Sequence, residues 1–539
     1  MVGTTGTVGT VDTAYGRVRG VERNGVWTFS GVPYAASPAG PRRWTPPVAP
    51  DPWTGVRDCS VFGPSAPQLP PIPGMSVAGE STEHSEDCLS LNVWTPGPDG
   101  SGRRPVMVWL HGGGFTSGAG SGNFYRGGVL ARRGDVVVVT VNYRLGALGY
   151  LAHPALSVDR DGPWLGGSGW SGFGNWGLAD QIAALAWVRD NIVGFGGDPG
   201  NVTLFGESAG GMSVSTLLGA PAAHGLFRRA VVQSGPPYVH TAEQGAEAAE
   251  RICHELGVPV ERPALLGVEP ERLVRAVQTV AGRLRFERDR GLPLALLPVI
   301  DGGLLARHPF DAVADGTAAA SGIALLIGTN RDEAAFFGAM DPAITGLDDA
   351  GLLRWVRRAV HSDERARALI GAVREVRAAR GEPVAPKDLW EGLATETIFR
   401  LPSVRLADAH AAASGDDGPG ARVYLFTWET PAFGGVFGAC HALEIPFVFG
   451  TVRNPSVQLF TGGGDRAAAL SRAMVDAWLG FSGAGVPGGG DLGQWPPWDP
   501  EVRPTAVFGP WPGDDAVARI VHRPRDEELV ALVRALDRD

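Results

Sequence analysis

Lysine is almost missing from this chain. Of 47 basic residues only Lys387 is a lysine, and 57 acidic residues leave a net charge of −10. That balance provides no basic footprint for a phosphate backbone, so nucleic acid is not an expected partner. Mild acidity speaks mainly for solubility and names no substrate. Long apolar runs are missing too. No stretch reaches 18 apolar residues, so no membrane-spanning segment is expected. Met1-Val2-Gly3-Thr4-Thr5 has neither the basic start nor the apolar centre of a signal peptide. The expectation is a cytoplasmic protein, with secretion the alternative if this start belongs to a mature or engineered form.

Cysteine is scarce as well. Cys59, Cys88, Cys253 and Cys440 show no C-x-x-C and no Cys/His metal spacing, so neither a metal nor an organic cofactor is expected. A bridge from Cys59 to Cys88 would close a loop of about 30 positions and stabilise the fold by about 3–4 kcal/mol if unstrained. The alternative is two buried thiols, which suits a reducing compartment.

Glycine, by contrast, is abundant. With 78 glycines in 539 residues, a chance G-x-S-x-G match somewhere in the chain is about an even bet. The match at Gly206-Glu207-Ser208-Ala209-Gly210 gains its weight from its setting. Val202 to Phe205 reads as a buried strand, and Ala209 to Leu218 as a helix that starts on small residues. Strand, sharp turn and helix together make a nucleophile elbow. The turn is strained, so the positions two before and two after the serine must be small.

The rest of the chain supplies what an activated serine needs. Pro105 to Leu110 is an almost wholly apolar strand, which suits a sheet covered on both faces. It runs into His111-Gly112-Gly113-Gly114-Phe115, a glycine loop able to turn backbone N–H groups toward a developing oxyanion. Val136 to Val141 is a further strand, and Leu178 to Asn191 an amphipathic helix. Strands and helices alternate from about 105 to 240, which predicts a mainly parallel, helix-covered sheet. Val8 to Arg19 reads as a leading hairpin, and Arg42 to Pro73 as an irregular, Pro-rich surface segment. Residues 157–173 read as a flexible, aromatic-dotted loop that either borders a substrate site or faces solvent. Ala242 to Arg290 and Leu347 to Arg380 are helical, Arg-rich insertions over the sheet. Val423 to Trp428 is a late strand, Ala468 to Leu479 a closing helix, and Trp495-Pro496-Pro497-Trp498 opens an irregular tail. Without repeats or a clear linker, residues 1–539 are expected to form one domain.

A serine hydroxyl needs a base to take its proton and a third group to orient that base. In this fold class the order along the chain is nucleophile, acid, histidine. Gly322 to Glu333 reads as a strand ending in acids; Glu333, at its end, suits the acid, and its neighbour Asp332 is the rival that composition does not separate. His441, in a glycine-bounded turn after the last strand, suits the base better than His410 in a helix or His522 in the tail.

With these residues in hand, the chain resembles the type-B carboxylesterase family, which includes cholinesterases and bacterial para-nitrobenzyl-type esterases. Phe195 to Gly210 resembles the family's serine signature throughout, and Glu86-Asp87-Cys88-Leu89 with Asn92-Val93-Trp94 resembles its second signature. The likeness runs from Tyr15 to about Phe508. It implies an α/β-hydrolase fold: a central, mostly parallel sheet covered by helices, with helical insertions near the active site. It implies Ser208 as nucleophile, Glu333 rather than Asp332 as acid, and His441 as base. It further implies an oxyanion hole from Gly113, Gly114 and Ala209, with Ser234 and Glu207 as supporting residues. Cys59–Cys88 matches the family's first disulfide, whereas Cys253 lacks a nearby partner for a second. The loop from Cys59 to Cys88 contains no Trp, where cholinesterases carry a cation–π anchor, so choline esters are disfavoured.

The expected activity is hydrolysis of a small-molecule carboxylic ester through an acyl-enzyme on Ser208, by a monomer or small homo-oligomer. The alternatives are related acyl chemistry on the same triad (thioester, carbamate or lactone cleavage, or acyl transfer) and, less favoured, a non-catalytic binding module.

Overall fold

The structure is a computed structural model describing residues 7–70, 83–100, 103–158, 160–170, 172–287, 294–316, 322–415, 418–488, 492–513 and 515–536. The start at Met1–Thr5, the Pro-rich stretch around Pro73 and the helical stretch around Arg290 lie outside the described residues.

Among the described residues the strands are, in chain order, β1 (Thr7–Thr13), β2 (Gly16–Arg23), β3 (Val26–Pro33), β4 (Val56–Asp58), β5 (Ser90–Thr95), β6 (Arg104–Leu110), β7 (Val137–Val141), β8 (Arg160–Trp164), β9 (Gly167–Trp170), β10 (Gly197–Glu207), β11 (Arg229–Gln233), β12 (Ala324–Asn330), β13 (Ala421–Phe426), β14 (Pro504–Phe508) and β15 (Ala518–His522). All but β8 and β9 join one sheet, ordered β1-β2-β3-β5-β7-β6-β10-β11-β12-β13-β14-β15, with β4 beside β2. From β7 to β14 every pairing is parallel. The pairings β1-β2-β3-β5-β7 and β14–β15 are antiparallel, while β4 lies parallel to β2.

Parallel strands need crossovers, and the crossover helices bury both faces of the sheet. Alternation along β6 shows this directly. Val106, Val108 and Leu110 pack with Ile182, Leu185 and Val214 on one face. Met107 and Trp109 pack with Phe205, Phe449, Met474 and Trp478 on the other. Each such buried side chain contributes about 1.5–3 kcal/mol. The chain leaves β6 toward β7 on one side, and leaves β10 toward β11 on the other. The carboxyl ends of β6 and β10 therefore flank a topological switch point, where open α/β sheets form their binding crevice.

Three expectations need correction. The helix Trp176–Asn191 is not amphipathic: all but Arg189 and Asp190 are buried. Two of its polar residues bond inside the fold: Asp180 pairs with Arg144 at 2.7 Å, and Gln181 Nε2 donates to Ser213 Oγ at 3.0 Å. Residues 157–173 are not a plain loop, since β8 and β9 pair as an antiparallel ribbon with Trp164 buried. The tail is not irregular either, because β14 and β15 extend the sheet and the helix Asp526–Leu536 follows.

Candidate active site

β10 ends at Glu207, and the helix Ala209–Leu218 begins one residue after Ser208. Ser208 therefore occupies the turn alone, at φ 54° and ψ −124°, a conformation that costs a non-glycine residue about 1–3 kcal/mol. The turn is tight against the end of β6. A Cβ on Gly206 would lie 2.6 Å from the Gly210 carbonyl carbon, and one on Gly210 would overlap the Leu110 carbonyl oxygen. The Ser208 N–H donates to Gln233 O at 2.9 Å, and Ser208 O accepts from Met212 N at 2.7 Å. The strain is thus held by hydrogen bonds on both sides.

Glu333 opens the helix Glu333–Ala339, just beyond β12, and is fully buried. Its Oε2 lies 2.6 Å from His441 Nδ1. Its Oε1 accepts from Ser234 Oγ at 2.5 Å and from Asn330 N at 2.7 Å. The rival Asp332 has other duties: it pairs with Arg331 at 2.7 Å and accepts from Ala439 N at 2.8 Å, which anchors the turn carrying His441. His410 is buried with Nε2 2.7 Å from Ile323 O, and His522 is exposed at the end of β15. Neither belongs to the crevice.

The glycine loop follows β6 and lies over the elbow. A Cβ on Gly112 would meet both Glu207 Oε2 at 2.8 Å and Ser208 Cβ at 3.1 Å. Gly113 O accepts from Thr116 N at 3.1 Å and Ser117 N at 3.0 Å, and His111 Nδ1 stands 2.9 Å from Gly112 O.

The model of the carboxylesterase family matches residues 7–509. The chain belongs to that family. It is 37% identical over 511 residues to para-nitrobenzyl esterase of Bacillus subtilis (strain 168), covering 92% of this chain and 94% of that one. It is 34% identical to phenmedipham hydrolase of Pseudarthrobacter oxydans, covering 95% and 97% respectively. A solved carboxylesterase structure from Geobacillus stearothermophilus superposes with a TM-score of 0.80 at 39% identity, over 97% of this chain and 99% of that one. The protein is therefore a carboxylic-ester hydrolase with the α/β-hydrolase fold.

In this carboxylesterase three buried carboxylates surround the imidazole of His441. Besides Glu333, Glu207 Oε1 lies 3.2 Å from His441 Nε2, a contact of charge rather than of aligned hydrogen bonding. Glu444, which the sequence reading passed over, is fully buried and accepts from Asn330 Nδ2 at 2.7 Å and Gln233 Nε2 at 3.1 Å. Burial alone would lower the pKa of His441, but the charges of Glu207 and Glu333 more than reverse this and raise it to about 9. Burial pushes Glu207 up to about 8, against the pull of His441, and Glu444 up to about 6. Among the described residues the Ser208 hydroxyl has no hydrogen-bond partner; in unliganded sites such contacts often tighten only with substrate present. The sole sequence sign of Glu444 is its place three residues after His441.

Above this floor opens a cavity of about 500 Å³, with Gly112, Gly113, Glu207 and Ala442 at its base. Its walls are mostly apolar: Leu69, Phe124, Val274, Val277, Phe336 and Ile445, with Gln68 and Gln278 among them. Val274, Val277 and Gln278 belong to the helix Pro270–Glu287, so one of the expected insertions does line the site.

The Cys59–Cys88 bridge is a correction. All four cysteines are free and buried. Burial raises the Cys59 thiol to about 11 and holds Cys88 higher still, so both stay protonated and resist oxidation. No group of three or more His, Cys, Asp or Glu among the described residues could hold a metal ion, and none of their helices is long and apolar enough to cross a membrane.

Proposed function

We propose that Ser208 is the nucleophile of this esterase, His441 its general base and Glu333 the group that orients the base. The observations that carry the reading are a strained elbow serine at the switch point of the sheet and a Glu333–His441 hydrogen bond of 2.6 Å. His441 Nε2 takes the Ser208 proton as Oγ bonds to the ester carbonyl carbon. Glu333 fixes the Nδ1–H tautomer and stabilises the imidazolium. The N–H groups of Gly113, Gly114 and Ala209 receive the oxyanion, each worth about 10²–10³ in rate. Collapse of the intermediate expels the alcohol, which leaves with the proton from His441. Water then repeats the sequence on the acyl-enzyme and releases the acid. Ser234 secures the second oxygen of Glu333, and Glu207 sets a carboxyl 3.2 Å from Nε2 that favours the imidazolium once it is ionised.

The apolar walls favour an uncharged small-molecule ester with an aryl or alkyl group. The Bacillus subtilis relative is by name an esterase for para-nitrobenzyl compounds, which supports the same class. The working unit is taken as a cytoplasmic monomer or small homo-oligomer, which light scattering and cell fractionation check. An organophosphate should label one serine per chain, Ser208, and abolish hydrolysis of short-chain aryl esters. Labelling elsewhere with loss of activity would overturn the assignment.

A further inference from the structure

The backbone donors that face the oxyanion cannot choose their own direction. A peptide unit is planar, with its N–H and C=O pointing opposite ways. Whatever grips the carbonyl therefore aims the amide. The Ala209 N–H shares its plane with Ser208 C=O, which is held by Met212 N at 2.7 Å in the first turn of the helix. The Gly114 N–H shares its plane with Gly113 C=O, held by Thr116 N, Ser117 N and the Ser117 hydroxyl at 3.0–3.1 Å. Both planes are fixed by backbone turns.

The third plane is different. The Gly113 N–H is paired with Gly112 C=O, and among the described residues the one hydrogen bond to that carbonyl comes from a side chain, His111 Nδ1 at 2.9 Å. A carbonyl only accepts, so Nδ1 must carry the proton. The ring is 1% exposed, and burial lowers its pKa to about 4, so it stays neutral at working pH. Tyr143 fixes the ring from two directions. Its own ring stacks on the imidazole at 4.5 Å and 15°, and its hydroxyl donates to His111 O at 2.6 Å.

We propose that His111 is a positioning residue for the oxyanion hole: its Nδ1–H grips the Gly112 carbonyl and thereby aims the Gly113 N–H at the substrate oxygen, with Tyr143 holding the ring in place. The inference rests on the reading of Gly113 as an oxyanion donor. A histidine that merely fills space behind the loop would serve equally well as an apolar residue of similar size.

The test compares His111→Leu, which removes the donor, with His111→Asn, whose amide nitrogen can take the place of Nδ1. Each is assayed for kcat and KM on a short-chain aryl ester and for affinity toward an aryl trifluoromethyl ketone and its methyl ketone analogue. Addition of Ser208 Oγ to the fluorinated ketone, with the proton passing to His441, leaves an oxyanion in the hole. The wild-type enzyme should bind that ketone far more tightly than the methyl ketone; equal binding would sink the oxyanion reading itself, and this inference with it. Given that preference, His111→Leu should lose about 10- to 100-fold in kcat and in fluoroketone affinity, with KM and methyl ketone affinity within about twofold. His111→Asn should recover most of the loss. A folded His111→Leu with unchanged kcat, or an Asn variant as impaired as Leu, would overturn the proposal. Should His111→Leu not fold, ¹⁵N shifts of His111 in the wild-type protein decide the matter: the Nδ1–H tautomer is expected, and Nε2–H would contradict it.

Discussion

The floor and the walls of the cavity are built on different principles. On the floor, at the ends of β6, β10 and β12, the groups that aim the reacting atoms are held by hydrogen bonds, while among the described residues the Ser208 hydroxyl and Glu207 Oε1 are left without one. Ser208 is clamped through its own backbone, Glu333 accepts three hydrogen bonds, and the glycine loop is tied at successive carbonyls. On the walls, Phe124, Val274, Val277, Phe336 and Ile445 supply surface rather than direction. The floor comes from the sheet that organises the whole fold, while part of the wall comes from the inserted helix Pro270–Glu287. On the proposed function, reaction class belongs to the first region and substrate choice to the second.

That division is open to attack by substitution. The largest effects should come from the floor. Ser208→Ala should cost about 10⁶ in kcat, and Glu333→Gln about 10⁴ through the wrong imidazole tautomer, both with folding intact by circular dichroism. A wall change should leave the chemistry alone and shift preference instead. Phe336→Ala should change the kcat/KM ratio between bulky and small aryl esters by about 10- to 100-fold, with the rate on the smallest ester within a few-fold of wild type. A uniform loss across substrates would erase the distinction between floor and wall.

A subtler effect lies in pH. A general base works only when neutral, so with His441 in the proposed role its raised pKa moves the acid limb of kcat/KM upward, and activity should still be rising between pH 7 and 9. Glu207→Gln removes a carboxylate that favours the imidazolium. Its acid limb should therefore move to lower pH, by about 1–2 units. An unmoved limb in a pH–rate profile would mean that Glu207 carries no charge where it matters.

The same division explains what could be read from the chain beforehand. The elbow was legible because its strain restricts the residues at Gly206 and Gly210, and such restrictions show in sequence. Asp332 and Glu333 were not separable by composition, since both are acids after a strand. Only the three-dimensional arrangement shows Asp332 engaged with Arg331 and Ala439 and Glu333 with His441. Glu444 escaped notice because a lone glutamate before the short helix Ile445–Phe449 looks like an ordinary helix-start residue. The helix Trp176–Asn191 was misjudged because Asp180 and Gln181 look solvent-facing until Arg144 and Ser213 are found beside them. Buried polar groups with distant partners leave no local trace. The β14–β15 hairpin was hidden for another reason: two five-residue strands after a Pro-rich stretch carry too little alternation to be seen.

The most direct test of the division is to trap the acyl-enzyme. A slowly deacylating aryl ester, quenched in acid early in turnover, should leave its acyl group on the peptide carrying Ser208, with one equivalent of phenol released per chain in a burst. A wall variant such as Phe336→Ala should show the same burst and the same site. No burst, or an acyl group on a residue other than Ser208, would contradict the account.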